Sequence, residues 1–222
     1  MTLTPTDIDF YFDPLCPFAY QTALWLRDVR RQTGLTIHWR FFSLEENNRP
    51  EGEPHLWERD FAPGWSALRV AAHLRRRDMA LCDAWYAACG QARHEEGRKF
   101  HDPEVARALL ASIGAEAGDW DAALADPTTH DDVRADHHDA VEKHAIFGVP
   151  TLLFPARAGV PPRAVFGPVI VPAPLGVDAL DLWDITSRYA RFPGLYELKT
   201  TRTVAWQHDI ARVFSAPRAG RG

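Results

Sequence analysis

The chain has 222 residues, 46% of them hydrophobic and 25% charged, which suits a globular protein of one domain, or one domain carrying a large insertion, with a sizeable core. A formal net charge of -5 leaves no electrostatic footprint for nucleic acid, and no apolar run approaches membrane-spanning length. Three cysteines, Cys16, Cys82 and Cys89, do not make a secreted disulfide framework.

In chain order, Met1 to Asp7 is polar and runs directly into the first strand, which predicts no signal peptide and a cytoplasmic protein. In Ile8 to Asp13, Ile8, Phe10 and Phe12 alternate with Asp9, Tyr11 and Asp13, a strand pattern. The turn Asp13-Pro14-Leu15 follows. Cys16-Pro17-Phe18-Ala19-Tyr20 then opens a helix predicted to run from about Pro17 to Gln32 and to stop at Gly34. Leu35 to Leu44 reads as a second strand, apolar on both faces, so the opening is β-α-β with parallel, right-handed pairing.

Glu45 to Pro63 is rich in Pro, Glu and Asn and is predicted as a loop. A helical region is expected from about Gly64 to Ile146. It holds an apolar stripe at Ala67, Val70, Ala71 and Leu74, a helix marked by Leu81, Trp85 and Ala88, and another capped by Asp102. Asp119 and Asp126 can each begin a further short helix. Gly148-Val149-Pro150-Thr151 leads into a compact strand at Leu152 to Phe154, with a neighbour predicted over Arg163 to Val169. A closing helix over Val177 to Arg191 has Leu180, Trp183 and Ile185 on its apolar side. Thr203 to Phe214 reads as a short helix and Pro217 to Gly222 as a disordered end. Basic charge is almost all arginine, with lysine only at Lys99, Lys143 and Lys199, and alanine is abundant, a composition that suggests a high-GC bacterial genome.

The residue with the most chemistry in it is Cys16. A thiol at the first turn of a helix lies beside unpaired backbone amides and the positive end of the helix dipole. Both favour the reactive thiolate, so its pKa is expected below the usual value. The plain alternative is a buried cysteine that happens to follow a strand. Asp13 is expected in exposed turn or capping duty; buried and ionised, it would instead raise the thiol's pKa. Cys82 and Cys89, seven residues apart, would be about 10 Å apart on one helix, beyond disulfide reach; they read as core, with a remote resolving role the minor alternative. The imidazoles His130, His137, His138 and His144 lie among Asp131, Asp132, Asp136 and Asp139. Their spacing does not suit chelation, so they read as a solvated acidic face and no metal site is expected. Arg75-Arg76-Arg77 reads as solvated, or as a receiver for a carboxylated cofactor. Trp57, Trp65, Trp85, Tyr86 and Trp120 are expected to cover the thiol and form an apolar pocket, though such residues suit core packing equally.

The order β-α-β, helices, β-β-α, with Phe10-Tyr11-Phe12-Asp13-Pro14-Leu15-Cys16-Pro17-Phe18-Ala19 before the helices and Phe147-Gly148-Val149-Pro150-Thr151 after them, resembles the thioredoxin fold with a helical insertion of the DsbA-like superfamily. The likeness covers about residues 7 to 190. It implies an α/β fold, a mixed central sheet with a large all-α insertion. Residues 1-50 and 147-192 would form a discontinuous thioredoxin-like domain, 51-146 the helical insertion, and 193-222 a C-terminal extension. The phrase Phe12 to Pro17 is most similar to the mycothiol-dependent nitroreductases of a cytoplasmic branch that also holds FrnE-like oxidoreductases, 2-hydroxychromene-2-carboxylate isomerases and kappa-class glutathione transferases.

From the resemblance, Cys16 is the expected nucleophile. Pro17, Phe18, Ala19, Tyr20, Val149, Pro150 and Thr151 are the expected thiol- and substrate-binding residues, with a cis peptide at Val149-Pro150. The motif's second cysteine is replaced by Ala19, so a mixed disulfide at Cys16 needs resolution by an outside thiol. The expected partners are a low-molecular-weight thiol, mycothiol or glutathione, as co-substrate, and a small hydrophobic, nitro, quinone-like or disulfide substrate. No tightly bound cofactor, nucleic acid or membrane is expected; a homodimer is left open. Two other readings stand beside this monothiol oxidoreductase: a thiol-cofactor isomerase or transferase, and a redox-inactive binding protein.

Overall fold

The computed structural model describes residues 6–156 and 161–201. Strand β1 (Asp7–Phe12), helix α1 (Pro17–Thr33) and strand β2 (Thr36–Phe41) open the chain. Helices α2 (Leu44–Asn47), α3 (Pro63–Arg75), α4 (Met79–His94), α5 (Pro103–Ser112), α6 (Asp119–Ala125) and α7 (Thr128–His138) come next. Strands β3 (Thr151–Phe154) and β4 (Arg163–Phe166) and helix α8 (Val177–Tyr189) close the described part. The sheet order is β2-β1-β3-β4. β1 and β2 are parallel, with Phe10 beside Trp39, while β1–β3 and β3–β4 are antiparallel. This is the expected mixed sheet, a thioredoxin-like α/β fold with a helical insertion between β2 and β3.

Helix α1 has clear local causes. Cys16 is its N-cap, Pro17 supplies a preset φ in the first turn, and Gly34 closes it at φ 75 with its amide on the Arg30 carbonyl, 2.9 Å away. The chain after β4 lies along α1. Thr22 Oγ1 donates to the Pro168 carbonyl (2.8 Å), Gln21 Oε1 accepts from the Ala173 amide (2.9 Å), and Trp25 Nε1 donates to the Ala179 carbonyl (2.9 Å). Between α3 and the α6–α7 corner, buried Arg69 donates to Thr129 Oγ1 (2.8 Å) and to the carbonyls of Ala123, Leu124 and Asp126. A guanidinium among carbonyls satisfies a helix junction that would otherwise bury unpaired acceptors.

Several expectations need correction. β2 ends at Phe41, and α2 begins where a loop was predicted; Ser43 caps α2 through the Glu46 amide (3.1 Å). β4 ends at Phe166 because Gly167 turns at φ 103 into a cis bond to Pro168. Ile185 is 62% exposed, so the apolar side of α8 is carried by Ala179 and Trp183 instead. The predicted helix 203–214 and disordered end 217–222 lie outside the described residues.

The His/Asp segment is not a solvated face. β2 is the sheet edge, and α7 caps it with side chains. Buried Asp136 accepts from the Phe41 amide (3.0 Å) and from Arg75, and the Ser43 amide donates to Nδ1 of buried His137 (3.3 Å). His130 accepts from Trp65 Nε1 at 2.8 Å. Covering an exposed strand edge removes a template for aggregation. Nor are the three arginines free: Arg75 also donates to the Trp39 carbonyl (3.1 Å), Arg76 pairs with Asp126 and Asp132, and Arg77 pairs with Asp119. Cys82 and Cys89 are both fully buried on α4, as core residues should be.

Candidate active site

The thiol is placed by three adjoining pieces: the end of β1, the first turn of α1, and the loop before β3. The Cys16 amide donates to the Asp13 carbonyl (3.0 Å), closing the turn. Cys16 then takes extended backbone angles, φ -83 and ψ 111, and its Sγ accepts from the Ala19 amide at 3.4 Å in the manner of an N-cap oxygen. On its other side Sγ donates to the Val149 carbonyl at 3.5 Å. Val149-Pro150 is cis. Residues 133 apart in sequence thus meet at the sulfur. Thr151 Oγ1 holds the loop by donating to the Gly148 carbonyl (2.7 Å), and the Gly167 amide donates to the Pro150 carbonyl (2.8 Å).

The electrostatics differ from expectation. Cys16 is 6% exposed. Burial pushes its pKa up to about 11; the Ala19 and Phe18 amides pull down, and Asp13 pushes up. The helix terminus does act in the expected sense, but desolvation outweighs it. Among the described residues, no cation is recorded in contact with the sulfur.

Asp13 is also buried, with 0% exposure, instead of exposed. One oxygen accepts from the Leu15 amide (2.8 Å) and the other from the Leu44 amide (2.7 Å). Burial raises its pKa to about 7, against the pull of those two amides; Glu45 adds to the rise and Arg93 opposes it.

The other motif residues divide. Pro17 and Phe18 are half-buried at the mouth of the site, and Ala19 is buried. Tyr20 is buried against α4. Its ring packs closely against Gly90 of α4, its hydroxyl bonds to Glu95 (3.1 Å), and it packs on His94, whose Nε2 reaches the Pro14 carbonyl (3.0 Å). The insertion's aromatic residues mostly pack inward: Trp65, Trp85, Tyr86 and Trp120 are buried, and Tyr86 stacks on Phe12 at 4.0 Å.

Two surfaces near the Cys16 turn and the cis-proline loop were not foreseen. A cleft of about 440 Å³ reaches Leu15, the residue before Cys16, with Leu15, Leu44 and Leu56 as apolar lining and Glu45, Asn48, Arg49 and Arg59 as polar lining; Cys16 itself does not line it. Its walls come from the stretch taken for a loop; the Ser43-x-x-Glu46 spacing at the start of α2 was the available signal. Both rim arginines are engaged, Arg49 with Glu46 (3.0 Å) and the Glu53 carbonyl (2.6 Å), Arg59 with the Pro54 carbonyl (3.0 Å) and Glu53 (3.5 Å). Flanking the cis peptide, Phe147 and Phe166 are 69% and 46% exposed with rings 5.0 Å apart. Among the described residues no group of His, Cys, Asp and Glu is arranged to hold a metal ion, and no helix is long and apolar enough to cross a membrane.

Residues 15–200 match the sequence model of the Rv2466c-like family, described as mycothiol-dependent nitroreductase Rv2466c. The uncharacterized protein Rv2286c of Mycobacterium tuberculosis is 53% identical over 207 residues, 93% of this chain and 87% of that protein. Among solved structures, 2-hydroxychromene-2-carboxylate isomerase superposes with a TM-score of 0.57 at 18% identity, covering 82% of this chain and 93% of the isomerase. A probable DsbA oxidoreductase, SCO1869 from Streptomyces coelicolor, gives 0.53 at 20% identity, covering 88% and 93%. Cytosolic disulfide reductase DsbM from Pseudomonas aeruginosa, solved with GSH, gives 0.51 at 18% identity, covering 72% and 89%. At these identities the likeness establishes the DsbA-like fold.

Proposed function

The chain belongs to the Rv2466c-like family of mycothiol-dependent nitroreductases, and on that footing we propose that it is a cytoplasmic thiol oxidoreductase working with one nucleophilic cysteine, Cys16, and an outside low-molecular-weight thiol. The observation that carries the monothiol reading is the pairing of Cys16 with Ala19. The sulfur stands at the helix N-cap against the cis-proline loop, and the position one turn on, where a resolving thiol would sit, holds a methyl group. Cys82 and Cys89 are fully buried within α4 and offer no replacement.

In this scheme the Cys16 thiolate attacks one sulfur of a small disulfide. A bond from Cys16 to that sulfur forms as the S–S bond breaks, and the second sulfur leaves as thiolate. A further small thiol attacks the mixed disulfide, re-forms a small disulfide and frees Cys16. When the acceptor is a quinone, Cys16 and one small thiol together supply two electrons and two protons, giving hydroquinone and the Cys16 mixed disulfide, which a second small thiol resolves to free Cys16 and small disulfide; a nitro acceptor takes the same two electrons and two protons to give nitroso and water. Pro17, Phe18, Val149, Pro150 and Thr151 lie in the segments around the sulfur, and the cleft that begins at Leu15, one residue before Cys16, is the docking place for the body of the small thiol. Its guanidinium groups are already paired, so it offers apolar and hydrogen-bonding surface rather than a spare cation, which favours uncharged, hydroxyl-rich mycothiol over the carboxylates of glutathione. The exposed Phe147–Phe166 pair suits a flat hydrophobic acceptor.

A second reading, a thiol-cofactor isomerase or transferase, draws on the same Ala19 and on a thiol that burial keeps protonated. There the cofactor thiol would bind without ever joining Cys16. Intact-mass analysis after incubation with mycothiol disulfide and with glutathione disulfide separates the two. A single adduct mapped to Cys16, and loss of thiol-dependent turnover in Cys16→Ser, are expected. Undiminished turnover in Cys16→Ser rejects the oxidoreductase reading.

A further inference from the structure

Asp13 stands out among the charged groups of the site. It is fully buried, yet among the described residues no ion pair to its carboxylate is recorded. Its two oxygens accept instead from two main-chain amides that belong to different elements. Leu15, at 2.8 Å, immediately precedes Cys16, and Leu44, at 2.7 Å, is the first residue of α2. Its own carbonyl accepts from the Cys16 amide at 3.0 Å. One residue therefore holds the turn that presents the sulfur and fastens that turn to the helix walling the cleft.

The groups facing this pocket offer little positive charge. Glu45 approaches from α2, and Arg93 and Tyr86 from α4, the arginine being the one cation of the set. His94 of α4 donates to the neighbouring Pro14 carbonyl and is held neutral by burial. The remaining ionisable group is Cys16 itself. Two anions in one desolvated pocket disfavour each other strongly, and groups so placed titrate as a pair.

We infer that Asp13 is a positioning residue for the nucleophile: its carboxylate ties the Cys16 turn to α2, and its negative charge adds to burial in disfavouring the neighbouring thiolate. This rests on Cys16 as the reactive group. Protonation of Asp13 lifts the restraint, so the thiol ionises more readily when Asp13 is neutral than when it is charged. The ordinary value of a carboxylate would place that change far below neutrality; burial moves it to about 7, within the working range.

The test is the rate of iodoacetamide alkylation of Cys16, read by peptide mass between about pH 5.5 and 9.5, with the buried Cys82 and Cys89 as internal controls. For the native chain the logarithm of the rate should climb with pH, flatten near pH 7 as Asp13 ionises, and climb again. In Asp13→Asn it should climb without the break, matching the native rate near pH 6 and exceeding it several-fold near pH 8.5. An Asn variant faster by one constant factor at every pH shows a loosened turn and overturns the inference. A native profile without a break overturns it too, and that measurement stands even where the variant does not fold. Alkylation reports the thiol and not turnover. Failure of the oxidoreductase reading would therefore appear separately, as unchanged turnover in Cys16→Ser with the break intact.

Discussion

Gly90→Ala should loosen the seat of α1. A Cβ built at Gly90 overlaps the Tyr20 ring, 3.0 Å from Cγ and nearer still to Cδ2 and Cε2. Van der Waals contact needs about 3.5–4.0 Å, so ring or helix must move by more than about 1 Å. The ring has no room to give: Tyr20 is buried, lies against His94, and bonds to Glu95. Mid-helix Gly to Ala gains about 1 kcal/mol of helix propensity. Against it stand about 1–3 kcal/mol of overpacking and about 1.5–3 kcal/mol for the hydrogen bond to the Glu95 carboxylate. The net expectation is a loss of about 1.5–5 kcal/mol, or roughly 3–20 °C in Tm at this chain length. Thermal and urea unfolding followed by circular dichroism reads it. Because Tyr20 lies one turn from Cys16, the variant should also alkylate faster at Cys16. A variant as stable as the parent, or more so, would mean that propensity wins and that the two helices are not in the close contact described.

Ala19→Cys should rebuild a local dithiol, since the residue-19 amide already lies 3.4 Å from Cys16 Sγ; oxidation should remove two hydrogens by intact mass and abolish small-thiol adducts, and a persistent adduct would contradict the geometry. Asp136→Ala should cost about 3–5 kcal/mol in urea unfolding, because it leaves the Arg75 guanidinium and the Phe41 amide at the β2 edge without their acceptor; a loss under about 1 kcal/mol would return α7 to a surface role. Acid should destabilise the fold through His94 and His137, which burial lowers from 6.5 to about 4: their stabilisation is intact above pH 6.5 and is lost as pH falls toward 4, at most about 3 kcal/mol each. Asp13, raised from 3.8 to about 7, acts oppositely, since the folded state takes up its proton first as pH falls. The native chain should therefore show a shallow loss in urea stability between pH 6.5 and 4, and Asp13→Asn a slope about twice as steep; a native chain that gains stability on acidification would refute the assignment of the two histidines.

The β-α-β opening was legible because strand alternation, Pro17 and Gly34 are local signals that agree with one another. The meeting of Cys16 with a cis Val149-Pro150 was legible only by resemblance, since nothing local links residues 133 apart. What sequence could not supply was the sign of a contest between two known effects. The helix terminus lowers a thiol's pKa and burial raises it, and the winner depends on how much of the molecule covers the sulfur. The same gap explains Asp13, Asp136 and His137. Polar residues in a polar stretch look solvent-facing until a strand edge or a turn presents amides for them to accept from. Tyr20 shows the converse: an aromatic residue in the motif whose partner is a glycine 70 positions away.

The raised pKa of Cys16 bears on which step of the proposed cycle is slow. In thiol–disulfide exchange the leaving group departs faster the lower its pKa. A dithiol motif lowers the first cysteine's pKa, and its partner one turn along the helix can displace whatever is attached. Here both aids are missing: Ala19 offers no internal attacker, and a thiol held up to about 11 by burial is a poor leaving group. Formation of the mixed disulfide is limited by the small thiolate fraction, yet once formed the adduct also resists release. Both effects share one cause, the cover over the sulfur, and anything that lowers the pKa through Asp13 should speed attachment and detachment together. The adduct at Cys16 should therefore be long-lived enough to isolate, and its lifetime toward added thiol should shorten in Asp13→Asn at pH above 7.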